Sequence, residues 1–194
     1  MIDLEGLAQR LANALYEDSE LDEAEKAKIE YGFSLTMGIG LTLLLTLVPA
    51  VFLGTVFITF VLMASALGTR LFSGGAHCTS YARCLFLSLL IFIPGGAFAK
   101  YLAENGSPRL IALISCCLAF SSVAYYLCKQ ARLALPIALM YAVALASGYL
   151  FKGRLLPEVV LPVAMGVFIQ TIMTTGRGQW LVEKADYWLK RVIK

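Results

Sequence analysis

Apolar residues dominate the chain from Phe33 onward, and short polar segments divide them into six runs. A helix needs about 20 residues to cross roughly 30 Å of hydrocarbon, because each residue rises about 1.5 Å. Each run approaches that length, which predicts six membrane-spanning helices, or four if the short early segments form interfacial hairpins. The predicted spans are 31–48, 50–67, 82–101, 109–128, 133–151 and 155–174. Only Pro49 and small neighbours separate the first two, which predicts a tight hairpin or two short, tilted helices.

Small and helix-breaking residues recur inside these spans. Small residues let helix backbones approach closely in lipid, and such faces are also compatible with a homodimer. The glycines concerned are Gly38, Gly40, Gly54, Gly95, Gly96 and Gly166. Pro94, Pro136 and Pro162 predict kinks in their helices.

Residues 1–30 have a different pattern, being polar and acidic with apolar residues spaced three and four apart. That period predicts an amphipathic helix, and the apolar positions are Leu4, Leu7, Ala8, Leu11, Ala14 and Leu15. Ser19 followed by Asp22 predicts the start of a second helix. This cytoplasmic segment is expected to lie against the membrane or the bundle, or to serve as a docking site.

Composition supports a membrane protein. Hydrophobic residues make up 59% of the chain and charged residues 15%, with a mean hydropathy of +0.77. Soluble domains have about 45–50% apolar and 25% charged residues, so lipid must solvate most of this chain. The fold class is therefore all-α and polytopic, one domain over 1–194. The net charge of +3 is too small to predict a nucleic-acid partner.

The basic residues predict the orientation. With six spans and a cytoplasmic amino terminus, 12 of the 16 Lys and Arg residues fall on cytoplasmic segments and 4 outside. Cytoplasmic loops are enriched in these residues, so both termini and the segment 68–83 are expected to be cytoplasmic. The tail 175–194 carries Trp180 and Trp188 among basic residues, which predicts an interfacial helix at the inner headgroups.

Candidate chemistry is concentrated in residues 68–84, within the apolar bundle 31–174. This segment holds Arg70, the only histidine, His77, and Cys84 at seven-residue intervals. In one unbroken helix these side chains would lie about 10 Å apart along the axis. A base and a nucleophile need contact near 3 Å, so the segment must fold back if they cooperate. Ser73-Gly74-Gly75 provides the break, because glycine adopts backbone angles that other residues avoid.

A Cys–His pair can attack a carbonyl to form a thioester, and a nearby arginine can lower the thiol pKa, orient a carboxylate or stabilise an oxyanion. Simpler interpretations remain open at this stage. His77 can be a polar boundary residue, Cys84 a packing residue, and Arg70 and Arg83 topological anchors. A metal site of His77, Cys78 and Cys84 lacks a fourth ligand at normal spacing, and no cofactor is predicted. Cys116, Cys117 and Cys128 lie in or beside an apolar run and are expected to pack.

At these residues the chain resembles the accessory gene regulator protein B family of membrane peptidases. The similarity lies in Arg70, Gly74-Gly75-Ala76-His77-Cys78, Cys84 and Ser88, and in the length and span pattern. The resemblance implies a cysteine endopeptidase of the bacterial cell membrane that matures a quorum-sensing propeptide with an amphipathic leader. It implies Cys84 as nucleophile, His77 as base, Arg70 as an essential arginine and Gly75 as the loop-shaping glycine. No role is assigned to Cys78.

In that family the enzyme removes the propeptide's carboxyl-terminal tail and holds the remainder as a thioester, which an internal cysteine or serine displaces to close a ring. Two other classes of function remain. A small transporter would need an ionisable residue in the membrane, and Glu158 at the edge of the sixth span is the nearest one. A non-catalytic membrane scaffold would need no reactive thiol.

Overall fold

Helices account for nearly all of the chain that the computed structural model describes, namely residues 6, 10, 22–76, 78–150 and 156–192. No strand occurs in these residues. The helices are α1 Glu23–Leu53, α2 Val56–Ser73, α3 Tyr81–Asn105, α4 Pro108–Lys129, α5 Ala131–Leu150, α6 Leu161–Thr174 and α7 Gly176–Val192. A π-helical turn, Leu156–Val160, precedes α6. The amphipathic helix predicted within residues 1–30 lies mostly outside the described residues.

The membrane class is confirmed. Within the described part of the chain, five helical segments are long and apolar enough to cross a bilayer, and the stretch Ala131–Ala146 of α5 is a shorter apolar one. Large apolar side chains are exposed on these helices, such as Phe120 at 76% and Leu135 at 69%. Soluble monomers rarely expose large contiguous apolar surfaces, so these faces contact lipid. The protein is an all-α polytopic membrane protein.

The predicted boundary at Pro49 is wrong. Helix α1 continues through Pro49 to Leu53, and the chain turns at Gly54, whose φ is 62°. Proline is tolerated inside helices in lipid because neighbouring groups can satisfy the backbone that it leaves unpaired. Glycine adopts a positive φ without strain, which places the turn at Gly54. Pro94 and Pro136 do lie inside α3 and α5, whereas Pro162 lies in the first turn of α6.

The chain divides into two units, Met1–Leu45 and Thr46–Lys194. The first unit contains the amino-terminal part of α1. The second contains the remaining helices, and α6 lies at its centre, with most of its side chains buried. Val163, Ala164 and Val167 of α6 belong to a buried cluster that also includes residues of α4 and α5.

Two of the predicted glycine contacts are confirmed inside the second unit. A Cβ added at Gly166 would lie 2.1 Å from Ser65 Oγ, and one at Gly96 would lie 2.0 Å from Thr59 Oγ1. Real Cβ atoms never come so close, so both glycines are needed for α6 and α3 to approach α2. These two glycines serve contacts within one chain. The expectation of a homodimer stays a prediction.

Candidate functional site

A seven-residue linker, Gly74–Ser80, joins α2 to α3 and carries the predicted catalytic segment. Helix α2 ends at Ser73, and the next two residues have φ values of 68° and 151°. Only glycine adopts these angles readily, so Gly74 and Gly75 turn the chain out of the helix. The predicted break at Ser73-Gly74-Gly75 is therefore confirmed. His77 lies outside the described residues, so its role as base stays a prediction.

Arg70 lies in the last turn of α2 and holds this linker from one side. Its Nη2 donates a hydrogen bond to the carbonyl oxygen of Ala76 at 3.0 Å. A charged donor makes a stronger bond than a neutral one. The guanidinium thus fixes the backbone directly before His77. This contact gives Arg70 a role in fixing the linker backbone, in addition to the roles considered from the sequence.

Gln170 of α6 contacts the same linker at its amino-terminal end. Its side chain is buried, and Nε2 donates to the carbonyl oxygen of Gly74 at 2.5 Å and to Ser73 Oγ at 3.3 Å. A Cβ added at Gly75 would lie 3.0 Å from the same Nε2. The backbone N–H of Ala76 also donates to the carbonyl oxygen of Met173 at 3.4 Å. Gly75 is therefore required both by its backbone angle and by its contact with α6.

Asp186 of α7 binds the other end of the linker. Arg83 Nε lies 2.7 Å from Asp186 Oδ1, and Thr79 Oγ1 donates to Oδ2 at 2.7 Å. Arg83 Nη2 donates in turn to Thr79 Oγ1. Burial pushes the pKa of Asp186 upward, but the hydrogen bonds from Thr79 and Arg83 outweigh it and hold that pKa below its ordinary value. Arg83 is thus a buried ion-pair partner, and its role as a topological anchor stays a prediction.

Cys84 follows Arg83 in the first turn of α3, where its N–H donates to the carbonyl oxygen of Ser80 at 3.1 Å. Its side chain is half-buried, as is that of Cys78. Ser88, one turn later, donates to the carbonyl oxygen of Cys84 at 3.0 Å. The predicted nucleophile therefore lies in the first turn of a helix, next to the linker that carries the predicted base.

The Cys78 thiol lies near that of Cys84, and its pKa is raised. Burial, the neighbouring Cys84 and Asp186 raise the pKa of Cys78 to about 12, against a smaller opposing effect of Arg83. Cys78 therefore remains a neutral thiol at physiological pH. Since the thiolate is the nucleophilic form, this environment does not favour Cys78 as a nucleophile.

Gln170 and Asp186 were not identified as site residues from the sequence. Gln170 is a polar residue inside an apolar span, which in membrane proteins indicates a functional or structural partner. Asp186 lies four residues after Val182, and both are buried on one face of α7. Within the described residues no group of three or more His, Cys, Asp or Glu side chains could hold a metal ion. Glu158 is exposed, at the start of the last span.

The family model described as accessory gene regulator B matches residues 8–131 of the chain. No curated protein and no solved structure matches the chain. The matched region includes Arg70, Gly75, His77 and Cys84. Gln170 and Asp186, which hold the linker, lie beyond it.

Proposed function

We propose that this chain, which belongs to the accessory gene regulator B family, is a membrane cysteine endopeptidase with Cys84 as nucleophile and His77 as base. The family acts in the processing of a quorum-sensing propeptide at the membrane. The proposed substrate is such a propeptide, bound through an amphipathic leader and cut at the start of its carboxyl-terminal tail. The proposed product is a cyclic peptide.

The reaction begins when Cys84 Sγ attacks the carbonyl carbon of the scissile peptide bond. His77 accepts the thiol proton and passes it to the amine of the departing tail as the C–N bond breaks. The remaining peptide is then held as a thioester on Cys84. A thiol or hydroxyl group within that peptide attacks the thioester carbonyl, its proton returns through His77 to the Cys84 sulfur, and the ring closes.

The observation that carries this proposal is that the described motif residues, Arg70, Gly75 and Cys84, lie on one linker and the helix turns beside it. Arg70 contacts the carbonyl of Ala76, next to His77, and Gly75 packs on Gln170. Cys84 lies in the first turn of the helix that follows the same linker. A turn that reverses the chain between Arg70 and Cys84 is what a base and a nucleophile seven residues apart need in order to meet.

The distribution of basic residues supports a cytoplasmic location for the linker and for both termini. Helix α7 fits the inner headgroup region, because Trp180 and Trp188 are exposed on it and Lys184 Nζ lies 5.6 Å from the Trp180 ring centroid. A substrate made in the cytoplasm and bound at that surface would meet Cys84 on the same side of the bilayer.

Co-expression with a small propeptide encoded beside the gene tests the proposal. Wild type should remove the tail, as read by mass spectrometry, and a hydroxylamine-sensitive peptide adduct should map to Cys84. Cys84→Ala should insert normally and leave the propeptide intact. Cys128→Ala, which changes an exposed cysteine at the end of α4, is the matched control and should cleave normally.

Tail removal by Cys84→Ala would exclude Cys84 as nucleophile and refute the mechanism. Absence of cleavage by correctly inserted wild type would refute this propeptide as the substrate.

A further inference from the structure

The carboxylate of Asp186 bridges the two ends of the segment between the predicted base and nucleophile. Thr79 is two residues after His77, and Arg83 is directly before Cys84. One carboxylate oxygen accepts from Thr79 and the other from Arg83, each at 2.7 Å. From this arrangement we propose that Asp186 is a positioning residue that fixes Cys84 relative to the linker in which His77 occurs. The inference rests on the proposed function.

The three side chains form a closed hydrogen-bonded triangle. Arg83 donates to both Asp186 and Thr79, and Thr79 donates to Asp186. The backbone between Thr79 and Arg83 contains the first residues of α3. Fixing the side chains at both ends therefore fixes the direction in which the linker enters α3. Cys84 follows one residue later, so its position depends on the triangle.

The ion pair at this site is buried, since Arg83 and Asp186 are each only 8% exposed. Removing one partner of a buried pair leaves an uncompensated charge and is strongly destabilising, whereas replacing both with apolar residues is often neutral. The double replacement therefore tests whether the ion pair is needed for stability or for positioning Cys84. An apolar pair can restore packing, but it cannot hold Thr79.

Asp186 is tied to the membrane surface through its own helix. Val182 and Asp186 lie on the buried face of α7, while Trp180, Lys184 and Trp188 lie on the exposed face. A helix anchored by these exposed side chains presents Asp186 to the linker at a fixed depth. The carboxylate thus positions the reacting groups relative to the surface at which the propeptide would bind.

The test uses the full-length protein in liposomes with the propeptide as substrate, and measures kcat and KM separately. Asp186→Asn should lower kcat about ten- to hundredfold with KM within about twofold, because the interaction acts on the reacting groups rather than on binding. Asp186→Glu should recover part of kcat by keeping the charge. Glu183→Gln, an exposed acid on the same helix, is the matched control and should retain full activity.

The double variant Arg83→Met/Asp186→Leu provides the second measurement. It should insert and resist heat like wild type, yet keep the low kcat of Asp186→Asn. A wild-type kcat in Asp186→Asn or in the double variant would overturn the inference, and so would a double variant that fails to insert, since Asp186 would then serve folding. Equal removal of the propeptide tail by wild type and by Cys84→Ala would instead refute the proposed function.

Discussion

The side-chain amide of Gln170 donates to the carbonyl oxygen of Gly74 at 2.5 Å, across 96 positions of the sequence. This contact joins the central helix of the second unit to the glycine turn that begins the predicted catalytic linker. Gly74 offers its carbonyl here because its positive φ takes the chain out of the helix. The position of the linker is therefore set by a helix distant in sequence as well as by the linker's own residues.

Replacing Gln170 with methionine should slow propeptide cleavage about ten- to hundredfold. The substitution keeps the side-chain volume but removes the donor of two hydrogen bonds, to the Gly74 carbonyl oxygen and to Ser73 Oγ. Each such bond contributes about 0.5–1.5 kcal/mol. Thr171→Val is the matched control, because the Thr171 hydroxyl is buried beside Gln170 but bonds to Val167 within its own helix. Equal cleavage rates for the two variants would show that the bond to Gly74 does not position the linker.

Replacing Gly75 with alanine should reduce cleavage by a similar factor. The new Cβ would lie 3.0 Å from Gln170 Nε2, at a φ of 151° that side chains rarely adopt. Strain of this kind costs about 1–3 kcal/mol and would be relieved by displacing the linker. Gly68→Ala is the control, since a Cβ there meets nothing within 4 Å. The rates are compared in membranes that contain equal amounts of each variant, and an active Gly75→Ala would contradict the prediction.

Replacing Gly166 with alanine should destabilise the bundle. Its Cβ would lie 2.3 Å from the Leu62 carbonyl oxygen, so α6 and α2 must separate. Overpacking of this kind costs about 1–3 kcal/mol. The expected result is a lower temperature of aggregation in detergent, as measured by size-exclusion chromatography of heated samples. Gly40→Ala, where the Cβ would meet nothing within 4 Å, should leave that temperature unchanged. Equal temperatures would argue against close packing at Gly166.

Cys78 should resist alkylation up to high pH. A raised pKa keeps more of the thiol protonated, and with a pKa of about 12 only about one molecule in ten thousand carries the Cys78 thiolate at pH 8. Iodoacetamide labelling of the folded protein should therefore be very slow at Cys78 and should rise with pH up to about 12. Trypsin cuts after Arg83 and separates Cys78 from Cys84 for mass spectrometry.

Protein unfolded in SDS gives the reference, because an ordinary cysteine titrates near pH 8.5. Equal labelling rates for Cys78 in the folded and unfolded protein would show that burial does not protect the thiol.

Hydropathy predicts the helical bundle well because lipid leaves the backbone no partner outside the helix. The same reasoning placed the first turn at Pro49, where soluble proteins would break a helix, and missed Gly54. The break at Gly74 and Gly75 was predictable because glycine pairs act locally. Gln170 and Asp186 were not, since their partners lie roughly a hundred positions away. The spacing of Val182 and Asp186 places both on one face of α7. The tryptophans and basic residues of the same helix indicated only a membrane-surface helix.

The long sequence separation also orders events during synthesis. Thr79 and Arg83 precede Asp186 by 107 and 103 residues, and Gly74 precedes Gln170 by 96. At about 5–20 residues per second, ribosomes take roughly 5–20 s to add such a stretch. Cys84, the proposed nucleophile, therefore leaves the ribosome well before the side chains that fix its surroundings. A nascent chain carries the thiol without the assembled linker, and the finished geometry arises only after α6 and α7 have been made.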